Sequence, residues 1–147
     1  NMLIDFLSNN RFDARGRSLS QILNETDEFW EQTHDFIQWL FPLAESSRLV
    51  RNAPILTDSE IKQIRESEIA QTNIQRSVIR SKKFLAGTTK WRSGYDHNHL
   101  RISRLIKSLR LLVSDGAAKG FKYLVAGELG DQIDGIYAES QKQWRLA

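Results

Sequence analysis

The 147-residue chain contains no cysteine. It can form no disulfide, hold no metal through thiolates and present no cysteine nucleophile, which fits a reducing compartment. It also lacks a long apolar run: the richest stretch, 36–44, is about half of the roughly 20 residues that a membrane span needs. No crossing of a bilayer is expected. The opening residues Asn1-Met-Leu-Ile-Asp-Phe6 have no basic segment leading into an apolar core, so a secretory signal is not expected and a cytoplasmic protein is. No stretch alternates with period two over strand length, and no repeat or low-complexity block occurs.

What is present is the composition of a folded protein. Hydrophobic residues make up 40% of the chain, with four Trp and seven Phe, while 27% of residues are charged; disorder is excluded and a soluble globule expected. At 17.0 kDa, one domain over residues 1–147 with a single core is sufficient. The net charge of +3 hides an uneven distribution. Residues 1–74 carry 7 Lys/Arg against 12 Asp/Glu, residues 75–122 carry 12 against 2, and residues 123–147 carry 2 against 4. The strongly basic middle third suits an acidic partner, or the acidic N-terminal half of the same chain.

Helix signals recur throughout. Ser18 with Gln21, Thr57 with Glu60 and Ser140 with Gln143 each fit a capping box, in which the first side chain accepts from a backbone N–H three residues on and the second reaches back. Phe29, Trp30, His34, Ile37, Leu40 and Phe41 recur at near-helical spacing, predicting one helix that Pro42 ends. A long helix is predicted over 67–86, closed by Gly87. Over 98–114, Ile102, Leu105, Ile106, Leu109, Leu112 and Val113 form one stripe with Arg104, Lys107 and Leu111 opposite, until Asp115-Gly116 breaks it. Phe121 to Leu129 predicts a further helix, Ile133 to Tyr137 another, and a short terminal helix carries Trp144. Residues 9–17 and 42–56 read as extended connections. The fold class is all-α, a single compact bundle of about six to seven helices.

Candidate chemistry is sparse. His34 and Asp35 could act as an acid/base pair only beside a pocket, which nothing in the sequence locates; a core-edge histidine bonded to a loop carbonyl is the better reading. Asp96-His97-Asn98-His99 spells a nuclease name, but such nucleases spread those residues over strands and a helix. Neither His97 nor His99 has a partner one helical turn away for coordination. The favoured reading has Asp96 or Asn98 capping the next helix, with no metal or cofactor. The basic segment is the most informative polar feature: Arg76, Arg80 and Lys83, then Arg92 around Trp91 and Tyr95, then Arg101, Arg104, Lys107 and Arg110. Such charge could meet phosphates, with Trp91 or Tyr95 stacking on bases.

Residues 34–42 (HDFIQWLFP), Ala53-Pro54 with Leu56, and residues 97–109 (HNHLRISRLIKSL) together resemble the conserved region of the opioid growth factor receptor family. Small stand-alone bacterial members are the nearest in pattern. They share an Asp-Ala-Arg-Gly-Arg element such as Asp13 to Arg17 and a Trp-Arg such as Trp144-Arg145, so the resemblance extends over essentially the whole chain. Animal members are described as binding an enkephalin-type peptide and acting at the nucleus to restrain growth. Their long extensions are absent here, and no peptide-contacting residue carries over. The motif residues His34, Gln38, Trp39, Pro42, His97, Asn98 and His99 are expected to be structural.

Together these readings predict a non-enzymatic module that binds a peptide or protein, with the basic face of residues 76–110 as its surface. Nucleic acid is the alternative partner for that face. A peptide site at the end of the Trp39 helix would leave Trp39 or Phe41 accessible to solvent.

Overall fold

The two capping boxes at Ser18 and Thr57 start the helices that the sequence marks. In the computed structural model, which describes residues 2–147, Ser18 Oγ accepts from Gln21 N while Gln21 reaches back to Ser18 N at 2.7 Å. Thr57 and Glu60 make the same reciprocal pair. Among the described residues there are nine α-helices: α1 Met2–Leu7, α2 Leu19–Leu23, α3 Asp27–Gln32, α4 Ile37–Leu40, α5 Asp58–Glu66, α6 Glu68–Gly87, α7 Asn98–Leu112, α8 Asp115–Leu129 and α9 Ala138–Leu146. Lys90–Arg92 and Gly130–Gly135 are 3-10 turns. The described residues contain no strand, only two isolated parallel bridges, Leu43 with Ile55 and Gly94 with Ile136. The all-α expectation holds, with more helices than the six or seven expected because several are short. No helix among these residues is long and apolar enough to cross a membrane.

The residues form two compact units, one running to Phe84 and the other spanning Leu85–Ala147. In the first, α1 is far below the length at which an isolated helix is stable in water, and remote side chains hold both of its ends. Glu60 Oε2 accepts from Leu3 N at 3.2 Å, and Asn73 Nδ2 donates to Leu7 O at 2.8 Å. Leu3, Phe6 and Leu7 are buried, and Phe6 meets Trp39 edge to face at 5.3 Å. Trp30 is the other centre, packing on Phe36 and Phe84 while its indole N–H donates to Ile22 O at 3.0 Å.

One predicted helix is in fact two. The stretch from Phe29 to Phe41 breaks at Thr33, whose backbone is extended (φ −102°, ψ 127°), and α4 restarts at Ile37. The reason lies at Asp35, whose carboxylate accepts from Arg17 Nη2 at 2.9 Å and Arg15 Nε at 3.1 Å. Those arginines belong to a loop closed by buried Asp13, which accepts from Arg15 N, Arg17 N and Arg17 Nε. Gly16 in that loop has φ +77°, a conformation side chains resist. His34 lies in the break and is exposed, not at the core edge.

In the second unit, α7 packs on both α8 and α9. Ile102, Leu105, Ile106, Leu109 and Leu112 are buried as the stripe predicts, and Ser103 and Ser108 are buried too. Val113, assigned to the stripe, is the half-buried C-cap. α7 ends before Asp115-Gly116 as expected, and those two residues open α8, because Ser114 Oγ accepts from Ala117 N at 3.0 Å. Two further expectations change. The helix predicted over Ile133 to Tyr137 is replaced by the Gly130–Gly135 turn. Ser140 does not cap: it lies inside α9, its hydroxyl 2.8 Å from His99 Nδ1.

Candidate functional site

Four elements of the second unit enclose a cleft of about 210 Å³. From α8 come Lys122, Val125 and Ala126, and from α9 come Gln141, Trp144 and Arg145; each set has i, i+3, i+4 spacing, which places it on one helix face. Ile106 of α7 and Ile133 of the 3-10 turn complete the lining. Local bonds hold these walls in place. Gln141 Nε2 donates to Ile133 O and Ile136 O, both at 3.0 Å, tying the turn to α9. Trp144 donates its indole N–H to His99 O at 3.0 Å, tying α9 to the first turn of α7.

The walls are mostly apolar, and the two charged residues among them, Lys122 and Arg145, are cations. Lys122 Nζ donates to Arg145 O at 3.0 Å. Partial burial pushes the Lys122 ammonium below its ordinary pKa, and the charges of Arg110 and Lys119 add to the effect. Cationic charge is thus concentrated beside an apolar recess. In the first unit a separate recess of about 420 Å³ is lined by Gly16, Arg17, Ser20, Gln21, Asn24 and Glu25, next to the first capping box.

The residues nominated by sequence are mostly components of the fold. Trp91 is fully buried, and its N–H donates to Leu85 O and Thr88 O; it cannot stack on a base. Arg80 is enclosed in the first unit, donating to Leu23 O and Glu25 O, pairing with Asp27 at 2.8 Å and lying over Trp30 at 4.7 Å. Arg92 binds the Glu128 carbonyl and carboxylate. Arg110 binds Ala147 O and Asp115, and Arg101 donates to Asn98 Oδ1. Arg104 and Lys107 are half-buried, whereas Arg76, Lys83 and Tyr95 are exposed. Tyr95 stands edge to face with exposed Tyr137 at 5.8 Å. The basic segment is also divided, with Arg76, Arg80 and Lys83 in the first unit and the remainder in the second.

Of the motif residues, Gln38, Trp39, Asn98 and His99 are buried. Asp96 Oδ2 accepts from Asn98 N at 3.0 Å and starts α7, while the Asn98 side chain is buried. His99 is 1% exposed, with Nε2 at 2.7 Å from Trp91 O and Nδ1 at 2.8 Å from Ser140 Oγ. A carbonyl can only accept, so Nε2 carries the proton and Nδ1 accepts from the serine; both nitrogens are committed and neither is open to a metal. His97 Nδ1 lies 3.8 Å from Asp96. Pro42 and Gln38 are buried, and Gln38 Oε1 has no donor among the described residues. Trp39 and Phe41 are 6% and 1% exposed, so the groove that a peptide site there requires is closed. The cleft residues Lys122, Val125, Ala126 and Gln141 were not nominated; their i, i+3, i+4 spacing was the available signal.

All-helical architecture and a small cation-flanked cleft define a helical protein with a recessed apolar surface in its second unit. The chain belongs to the family of the opioid growth factor receptor (OGFr) conserved region, whose model matches residues 4–88. The match includes the Asp13 loop and the His34–Pro42 motif, and the His97–Leu109 segment lies beyond it. The opioid growth factor receptor of Homo sapiens is 33% identical over 123 residues, covering 67% of this chain and 18% of that protein. Opioid growth factor receptor-like protein 1 of Rattus norvegicus is 31% identical over 121 residues, covering 67% of this chain and 25% of that protein. The chain therefore spans a quarter or less of these relatives' length. No solved structure matches it.

Proposed function

We propose that this chain is a non-enzymatic, cytoplasmic binding module that takes a peptide segment of a partner polypeptide in the second-unit cleft. The observation carrying this reading is the cleft itself, with its apolar walls and cationic rim. Its volume of about 210 Å³ is below the roughly 300–1,000 Å³ of small-molecule sites, a size that suits one large side chain of a longer ligand. The relatives are named as a receptor and a receptor-like protein, in keeping with a binding role. Against nucleic acid stand the burial of Trp91 and the enclosure of Arg80.

The reading is tested by selecting from an unbiased displayed-peptide library on the full chain, with Ala126→Trp as the control. Ala126 is exposed on α8, so the indole fills the cleft without entering the core. Peptides enriched on the parent and lost on Ala126→Trp support the reading. Enrichment of none, or equal retention by the variant, overturns it.

A further inference from the structure

Resting on that reading, we infer that the cleft recognises an acidic partner segment, with one large apolar side chain in the recess and flanking Asp or Glu carboxylates on Lys122 and Arg145.

Charge complementarity selects this occupant. Ile106, Val125, Ile133 and Trp144 offer apolar wall, and neither charged lining residue is an acid. A neutral or basic segment would gain the apolar contact and leave the rim cations partly desolvated against it, whereas a carboxylate offsets that desolvation. Lys122 commits one N–H to Arg145 O, and an ammonium has three, so donors remain for a carboxylate. Arg110 and Lys119 lie near enough to depress Lys122; Asp115 pairs with Arg110, so it is Lys119 that extends the positive field past the two lining cations. Gln141 adds directionality: its amide N–H groups are committed to Ile133 O and Ile136 O, and its remaining capacity is to accept, as a passing backbone N–H requires.

The test uses acetylated, amidated, fluorescein-labelled peptides carrying one Phe or Leu flanked by Glu, with Gln-flanked and Lys-flanked counterparts, titrated by anisotropy against the full chain. The Glu-flanked peptide is expected to bind at least tenfold more tightly than the Gln-flanked one at low salt, with the advantage shrinking at high salt. Lys122→Gln with Arg145→Gln should remove that difference while leaving the residual apolar binding that Ala126→Trp abolishes. Followed by NMR through the side-chain ¹³Cε resonance of unmethylated, ¹³C-labelled protein, the Lys122 pKa should move back up toward the ordinary lysine value when the Glu-flanked peptide is bound. Equal binding of the three peptides, all blocked by Ala126→Trp, overturns the acidic specificity and leaves the peptide-binding reading standing. Failure of all three to bind, with oligonucleotides or a second copy of the chain occupying the cleft instead, overturns both.

Discussion

At the scale of single residues, the polar groups with the clearest physical role are those that fix irregular backbone. Asp35 is the sharpest case. Partial burial pushes its carboxyl up, but the hydrogen bonds and charges of Arg17 and then Arg15 outweigh that and hold it below 3.8. A carboxyl whose folded pKa is depressed stabilises the fold above its unfolded pKa, and that contribution is lost as pH falls through the folded pKa. Asp35→Asn is therefore expected to lower stability at neutral pH and to flatten the acid limb of the stability profile below about pH 4, measured by urea unfolding across pH. Arg80 is the second case. It was expected on a phosphate-binding face, yet it donates to the Leu23 carbonyl at the end of α2 and to the Glu25 carbonyl just past it, and covers Trp30. Arg80→Ala should cost about 2–3 kcal/mol in chemical denaturation. It should leave the salt dependence of any oligonucleotide binding unchanged; a reduced slope would return Arg80 to a nucleic-acid surface.

At the scale of elements, the sequence located helix starts better than helix ends. Capping boxes are local: the Ser18–Gln21 and Thr57–Glu60 pairs needed only their own spacing. Ser140–Gln143 has the same spacing and fails, because His99 takes the serine hydroxyl from far along the chain. Glycines in α8 make the contrast testable. Gly130 ends the helix at φ +51°, ψ −127°, a conformation close to glycine-only, and Gly130→Ala should cost about 1–3 kcal/mol. Gly120 lies within α8 with no atom in reach of an added Cβ, so Gly120→Ala should gain roughly 0.5–1 kcal/mol. Thermal unfolding of the two variants should shift in opposite directions, and a fall for Gly120→Ala would mean that α8 packs differently.

At the scale of the molecule, the basic segment is divided between two units, and several of its cations are engaged inside their own unit. Arg80, Arg92 and Arg110 are close in sequence and alike in charge, yet each binds a carbonyl within its own unit. Labelled DNA and RNA are accordingly expected to bind only at low salt, with the steep logarithmic salt dependence of non-specific contacts and no preference for sequence. Tight binding near physiological salt, weakened by Arg104→Ala with Lys107→Ala, would reverse that expectation.

Composition, apolar period and capping spacing determined by themselves that the chain is helical and where α2, α5 and α7 begin, because these properties rest on interactions within one or two helical turns. Tertiary structure alone decided where α3 stops, which arginines face inward, that Trp91 is enclosed, and that Lys122 and Arg145 flank an apolar recess. Each of those depends on a carboxylate, carbonyl or helix face supplied from a distant part of the chain, and hydrophobic period carries no record of which distant group will arrive.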